Sequence, residues 1–110
     1  MLLFRYDHIQ PILSGVKTQT RRLWNRPRVR VGTVHLAKTK IFGPPFASLK
    51  IKSIRRERVL DISEKDAIAE GYKSREDFLG AFRQINKLKE VPEDMEVWVV
   101  EFELVKENQV

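Results

Sequence analysis

Residues 15–22 read GVKTQTRR, a glycine followed by two threonines set between a lysine and two arginines. Three interpretations fit such a cluster: a solvated basic surface, a segment that binds phosphate or another ligand, or a threonine nucleophile with a lysine as its base. A threonine hydroxyl reacts only after a base takes its proton. Lysine is such a base only when burial or neighbouring positive charge lowers its pKa. Lys17 and Thr20 are the residues of this stretch to which that chemistry applies.

Charge is distributed unevenly around this stretch. Residues 17–58 contain 13 Lys and Arg and one acid, Glu57, for a net charge of +12. The other residues carry 8 basic and 14 acidic side chains, which gives −6, and the whole chain therefore carries +6. A one-sided positive field favours a polyanionic partner such as RNA. The same composition is also typical of the charged surface of a heat-stable protein.

Length and composition exclude several classes of protein. A chain of 110 residues with a 42% hydrophobic fraction predicts one globular domain over residues 1–110. The absence of cysteine excludes disulfides, thiolate catalysis and cysteine-ligated zinc. The two histidines, His8 and His35, match no metal-ligand spacing and are expected to make local hydrogen bonds, so neither a metal nor a cofactor is expected.

The longest apolar runs have four or five residues, as at 97–100, and a membrane helix needs roughly 20. The first residues turn charged at Arg5 and lack the pattern of a signal peptide. We therefore expect a cytoplasmic protein that does not associate with membranes. Whether it is a monomer or a dimer stays open.

The first half of the chain has the pattern of strands with one short helix. Residues 2–6 predict a strand, and Asp7 is expected to cap a helix that Gly15 ends. Period-two alternation at 31–38 and 46–54 predicts two more strands, with a bulge or bend where the alternation reverses after Lys52. Residues 42–46, FGPPF, predict the turn between them, because proline cannot donate to a strand ladder.

The second half predicts two helices and a closing strand. Ser63 and Ser74 are each followed three residues later by an acid, which is a helix-capping pattern. In the strand at 96–105, Trp98 and Phe102 alternate as core residues should. The predicted order is strand, helix, several strands, two helices and a last strand. It indicates an α+β fold, a small mixed β-barrel flanked by short helices.

The opening stretch resembles the G-x-K-x-x-T-x-R motif of the ASCH domain family, which belongs to the PUA-like superfamily of small barrels. The segments HIQPILSG (8–15), EKDAIAEGY (64–72) and VWVVEFELV (97–105) also resemble the family's order of elements, so the resemblance covers nearly the whole chain. It implies a PUA-like barrel. It also implies a range of activities: RNA-binding modules, regulators of translation or RNA processing, a ribonuclease-type activity, and amidohydrolases that act on N4-acetylcytidine.

For the amidohydrolase branch, the resemblance implies a catalytic set of Lys17, Thr20 and Glu70, and the motif makes Arg22 a site residue. This chain departs from that branch in its basic residues after the motif, and extra positive charge favours a phosphate-bearing substrate. The leading hypothesis is recognition of RNA or a modified nucleoside, with hydrolysis of an N4-acylated cytidine. The alternative is a non-catalytic RNA-binding or regulatory module.

Geometry sets conditions on these residues. Strand positions three apart face opposite sides, so Lys17 and Thr20 share a site only if a turn or bulge separates them. A partly buried Lys17 needs an acid near it, and we expect Glu70 there. Arg21 and Arg22 alternate, so at most one is expected to face the site. Trp24, Phe42 and Tyr72 are candidate stacking platforms for a base. The predicted ligand or RNA contacts are Thr18, Arg21, Arg22, Trp24, Arg26, Arg28, Arg30 and Tyr72.

Overall fold

The chain forms a curled, five-stranded half-barrel with short helices packed around it, which confirms the predicted α+β class. A computed structural model describes residues 1–105. The strands are β1 (Leu2–Leu3), β2 (Gln19–Arg22), β3 (Val34–Lys38), β4 (Ala47–Arg58) and β5 (Glu96–Leu104), and the helices are α1 (Ile9–Leu13), α2 (Glu64–Ala69) and α3 (Arg75–Ile85). Short 3-10 turns cover Tyr6–His8 and Val59–Asp61. None of the helices within residues 1–105 is long and apolar enough to cross a membrane.

Two strands that are close in sequence form the two edges of the sheet. The strand order is β1-β3-β4-β5-β2, so β1 and β2 each have one neighbour. β1 pairs in parallel with β3, and the other pairings are antiparallel. Arg22 spans the opening between the edges, because its Nη2 donates to the Leu3 carbonyl of β1 at 2.7 Å.

Strand β4 follows the predicted alternation and contains the predicted bulge. Leu49 and Ile51 are buried, whereas Lys50 and Lys52 are exposed. The register with β5 shifts between Ile51 and Ser53, where the alternation of the sequence reverses. The FGPPF segment lies in the connection between β3 and β4, also as predicted.

Strand β5 contributes to two apolar clusters, one on each face of the sheet. Val100 and Phe102 belong to the cluster inside the curl, and Val97 and Val99 to the cluster under α2 and α3. The core placement of Phe102 is therefore confirmed, whereas that of Trp98 is wrong. Trp98 is half-buried and lies in neither cluster, because its register neighbours on both sides are arginines, Arg22 and Arg56. The guanidinium of Arg56 lies 5.0 Å from the centre of its ring.

The helix ends follow the sequence at α2 and α3 but not at the first helix. Ser63 and Ser74 accept hydrogen bonds from the third residue of each helix, at 3.0 and 3.1 Å. Asp7 does not cap α1: it lies within the 3-10 turn before that helix and pairs with Arg5 at 3.4 Å. The first strand is also shorter than predicted, because the pairing of β1 with β3 ends at Leu3.

Candidate functional site

A cavity of about 240 Å³ opens where the two edge strands face α3. Its walls come from β1 and the turn that follows, from β2 and the residues beside it, from the end of α2, and from α3. Apolar and aromatic side chains form one part of its surface, and charged groups together with the Thr20 hydroxyl form the other. The lining includes Phe4, Arg5, His8, Lys17, Thr20, Arg21, Arg22, Glu70, Tyr72, Phe78 and Phe82.

Lys17 is almost fully buried in this cavity wall, with 1% of its side chain exposed. It precedes β2 in a segment tied to α2 by a hydrogen bond from the Thr18 N–H to the Ala69 carbonyl at 2.7 Å. Its Nζ donates to Glu70 twice, to the main-chain carbonyl at 2.6 Å and to Oε1 at 3.1 Å. The lysine thus satisfies a carbonyl at the C-terminal end of α2, where an acid alone would be unfavourable.

Gly71 packs against Lys17 at the end of α2. Its φ of +98° is a left-handed conformation that glycine adopts without strain, and it ends α2. A Cβ at this position would lie 3.5 Å from the Cδ of Lys17, in contact with its aliphatic stem. The helix end and the lysine therefore pack as one unit.

Glu70 is shared between two cations. Its Oε1 accepts from Lys17, and its Oε2 accepts from Arg21 Nη1 at 3.0 Å. Arg21 is as buried as Lys17 and has further partners: it donates to Gln19 Oε1 at 2.9 Å, to Glu57 Oε1 at 2.9 Å and to Asp66 Oδ2 at 3.3 Å. Glu70 thus has a counter-ion that does not depend on Lys17.

The surroundings of Lys17 shift its pKa toward the neutral amine. Burial lowers the pKa of Lys17, the carboxylate of Glu70 opposes that shift, and Arg22 and Arg21 add smaller effects that lower it. A neutral amine has two N–H donors and one lone pair. Because both observed hydrogen bonds of Nζ go to Glu70, a neutral Lys17 keeps its lone pair free to accept a proton.

Thr20 and Arg22 lie on one face of β2 and contact each other. The Thr20 Oγ1 is buried and accepts a hydrogen bond from Arg22 Nε at 3.0 Å. The guanidinium of Arg22 also lies 5.1 Å from the centre of the Phe4 ring. A cationic donor on the hydroxyl oxygen favours the charge that grows there when the proton leaves.

Arg21 and Arg22 both line the cavity, so the expectation that at most one would face the site is wrong. They do point to opposite faces of β2. The cavity, however, lies at the edge of the sheet, where a strand can be reached from both faces. Lys17 and Thr20 also share the cavity, because Lys17 precedes the strand and is not held to its alternation.

Two further cavity residues have pKa values shifted by their surroundings. Burial lowers the pKa of His8 to about 4, with Lys17 adding to the effect, so this imidazole is neutral at pH 7. Burial raises the pKa of Tyr72, and Glu70 adds to that shift. The Tyr72 ring packs edge-on against His8 and Phe78, with ring centres 5.6 and 5.5 Å apart.

The other candidate residues lie outside this cavity. Trp24 packs against the cluster inside the curl. Thr18 and Arg26 are exposed, and Phe42 is fully exposed. Arg28 and Arg30 are exposed beside a shallow depression that His35 also lines. The expected local hydrogen bond of His35 is present, at 2.9 Å to Thr33 Oγ1.

Sequence reasoning missed the residues that hold Arg21 in place. Gln19, Glu57 and Asp66 surround its guanidinium, and Gln19 Nε2 also donates to Asp66 Oδ1 at 3.1 Å. One signal was available, because Glu57 is the single acid in a segment of 13 basic residues. The sequence could not show that Phe78 and Phe82 form a wall of the cavity. Apolar residues at helical spacing are the same pattern whether a helix faces a cavity or a packed core. Within residues 1–105, no three His, Asp or Glu side chains converge to hold a metal ion.

Comparison with known proteins identifies the family. The model of the ASCH domain matches residues 5–106 of the chain. The chain belongs to the ASCH domain family. ASCH domains have the PUA-like fold and are generally linked to RNA and nucleic-acid binding. A search of curated proteins found no match.

Solved structures share the fold of this ASCH domain at low sequence identity. An ASCH domain from Lactobacillus crispatus superposes with a TM-score of 0.76 at 22% identity, over 94% of this chain and 76% of the other. Protein EF3133 from Enterococcus faecalis gives 0.64 at 19% identity, over 90% and 70%. The hypothetical protein PH0355 gives 0.66 at 20% identity, over 94% and 96%. These likenesses concern the fold alone.

Proposed function

We propose that this ASCH protein binds a nucleobase in the cavity between its edge strands and hydrolyses an acyl amide on that base. An N4-acylated cytidine is the substrate that the family resemblance favours. The observation that carries the proposal is a buried lysine, held by Glu70, that shares one cavity with the hydroxyl of Thr20. The reaction needs only these groups and water.

In the first step, the Thr20 oxygen attacks the acyl carbonyl carbon while the lone pair of Lys17 takes the hydroxyl proton. The carbon–nitrogen bond then breaks, and the Lys17 ammonium returns that proton to the exocyclic amine of the base. Water attacks the resulting threonine ester with Lys17 again as base. As the ester carbon–oxygen bond breaks, the Lys17 ammonium gives this proton to the Thr20 oxygen, which releases the carboxylic acid and restores both the hydroxyl and the neutral lysine.

Glu70 supports this chemistry by positioning. Both of its carboxylate oxygens already accept hydrogen bonds, one from Lys17 and one from Arg21. A group engaged as an acceptor on both oxygens has no proton to give to the leaving amine. Its role in the proposal is therefore to orient Lys17, while Arg21 balances its charge.

The size and lining of the cavity suit a single base. Its volume of about 240 Å³ lies below the roughly 300–1,000 Å³ of pockets for drug-sized ligands. Phe4, Tyr72 and Phe78 offer aromatic surface to a planar ring. Arg22 offers N–H donors to a carbonyl oxygen.

A non-catalytic RNA-binding module is the second candidate, and a separate observation favours it. Arg26, Arg28 and Arg30 are exposed outside the cavity, in the segment that carries a net charge of +12. Such residues neutralise phosphates and need no reactive group. Replacing all three by Ala should weaken RNA binding and flatten its salt dependence, by a slope of roughly 0.7 for each phosphate of a single strand that is no longer neutralised.

Acetate release separates the two candidates. Wild-type protein incubated with N4-acetylcytidine should release acetate, and Thr20→Ala and Lys17→Met should each abolish release. The double variant should be no worse than either single variant, because residues that act as a unit are not additive. Thr20→Ala should still bind the nucleoside. Thr18→Ala, an exposed threonine two positions away, is the matched control and should turn over as wild type does. A folded wild-type protein that releases no acetate above the buffer rate contradicts hydrolysis.

A further inference from the structure

Two exposed aromatic residues follow neighbouring parallel strands, at the same end of the sheet. Tyr6 is 82% exposed and Phe42 is fully exposed. Strands β1 and β3 run in parallel with Leu3 opposite Lys38, and the Phe4 N–H donates to the Lys38 carbonyl at 2.8 Å. Tyr6 follows the end of β1 and Phe42 follows the end of β3. Paired strands such as these lie about 4.8 Å apart.

Tyr6 lies in sequence between two residues of the cavity wall. Arg5 before it and His8 after it both line the cavity, whereas Tyr6 itself points to solvent. The turn that contributes His8 to the cavity wall thus also carries an exposed aromatic ring.

Packing does not account for Phe42. It occupies a central position of a tight turn that is closed by a hydrogen bond from the Gly43 N–H to the Lys40 carbonyl at 3.1 Å. Turn positions of this kind are readily filled by polar residues. Gly43 is followed by Pro44 and Pro45, which restrict the backbone after the turn.

The surroundings of the two rings are cationic. Arg5, Lys38 and Lys40 flank them along the chain, and residues 38–56 contain no acid. Beside Tyr6, Arg5 pairs with Asp7 at 3.4 Å, so the excess positive charge comes from Lys38 and Lys40 near Phe42. Aromatic faces among positive charges suit single-stranded nucleic acid, in which bases stack on the rings while phosphates meet the cations.

We infer that Tyr6 and Phe42 form a stacking platform for the nucleotides next to the base in the cavity, and that the substrate is a single-stranded RNA and not a free nucleoside. This inference rests on the proposed cavity for a base, but it does not require hydrolysis. It adds contacts that a free nucleoside cannot make.

Binding of short oligonucleotides tests the platform without reference to turnover. The probes are a fluorescently labelled single-stranded heptaribonucleotide with one central cytidine, the same strand with N4-acetylcytidine, and N4-acetylcytidine alone. Tyr6→Ala and Phe42→Ala should each weaken binding of both strands by roughly 5- to 150-fold, the range expected when one base no longer stacks on an aromatic ring. Neither substitution should alter binding of the nucleoside.

Matched variants distinguish stacking from apolar contact and from charge. Phe42→Trp should keep the affinity for RNA, whereas Phe42→Leu should lose it as Phe42→Ala does. Lys40→Ala should reduce the salt slope by about 0.7, and the aromatic substitutions should leave that slope unchanged. Val31→Ala, which changes another exposed apolar residue, should have no effect.

Two results would overturn the stacking platform: equal affinity of wild type for the strand and the nucleoside, or wild-type RNA binding by Phe42→Leu. The second result would assign Phe42 to a partner that needs only apolar surface. Tighter binding of a matched DNA strand would also contradict RNA as the substrate. If RNA binding depends on Tyr6 and Phe42 but no acetate is released, hydrolysis is refuted and this inference stands.

Discussion

The protonation of Lys17 should appear in the stability of the protein at alkaline pH. An ordinary lysine has a pKa of 10.5, and burial lowers the pKa of Lys17 in the folded state. At a pH between the pKa of Lys17 in the folded state and its pKa in the unfolded state, Lys17 is protonated in the unfolded chain but not in the folded chain. The free energy of unfolding therefore rises with pH in that window, by about 1.4 kcal/mol for each pH unit.

Two substitutions change this rise in different ways. Lys17→Met keeps an aliphatic stem but removes the amine, so the rise should disappear. Glu70→Gln removes the charge that opposes the shift, so the pKa of Lys17 falls further and the rise begins at a lower pH. At neutral pH, Glu70→Gln should also lower the free energy of unfolding by about 3–5 kcal/mol, since it takes one partner from buried ion pairs.

Urea unfolding from about pH 7 to just below pH 10, followed by circular dichroism, measures these slopes. The upper limit matters because the pKa of Tyr72 is raised, and above its ordinary value of 10.0 that group makes stability fall as pH rises. Lys40→Met, which changes an exposed lysine, is the control and should leave the slope unchanged. Equal slopes for wild type and Lys17→Met would refute the linkage of Lys17 to folding.

Three other features predict measurable effects on stability. The pKa of His8 is lowered to about 4, so stability should fall as pH drops from about 6.5 to 4, and His8→Gln should flatten that fall in thermal melts; an unchanged pH profile would contradict this. Trp98 Nε1 is buried without a hydrogen-bond partner among residues 1–105. Trp98→Phe should therefore change the free energy of unfolding in urea by less than about 1 kcal/mol, because the weaker packing of the smaller ring is offset by removal of an unsatisfied donor; a decrease of several kcal/mol would show that packing dominates. Ser63→Ala and Ser74→Ala should each cost about 1 kcal/mol in the same assay, since each removes a side-chain cap; no change in either would contradict the capping assignment.

Features that depend on neighbours in sequence could be predicted from the sequence. The caps of Ser63 and Ser74, the FGPPF turn and the reversal of alternation near Ser53 each involve a few consecutive residues. Their hydrogen bonds and steric limits act locally, so residue type is enough. The prediction that Asp7 caps α1 failed for an equally local reason. A cap requires an extended backbone at that residue, and Asp7 lies in a 3-10 turn.

Features set by the order of strands could not be predicted. That β2 is an edge strand follows from its pairing with β5, about 80 residues away along the chain. This pairing decides that both Arg21 and Arg22 reach the cavity, and that Trp98 lies between arginines. It also brings Glu57 and Asp66 to Arg21, a group of partners that no spacing in the sequence indicates.

The hydrogen bond from Arg22 to the Leu3 carbonyl joins the two edge strands, β2 and β1, across the open side of the half-barrel. The site therefore lies at this junction, which we call the seam. The same guanidinium holds the Thr20 hydroxyl, so a ligand that engages Arg22 acts on the reactive oxygen and on the seam together. A substrate carbonyl or phosphate that draws Arg22 away from Leu3 leaves β1, a strand of two residues, held to the sheet by β3 alone. Amide hydrogen exchange should then report whether the cavity is occupied. The Phe4 amide donates to the Lys38 carbonyl, and its hydrogen should exchange faster when the bond from Arg22 to Leu3 is broken.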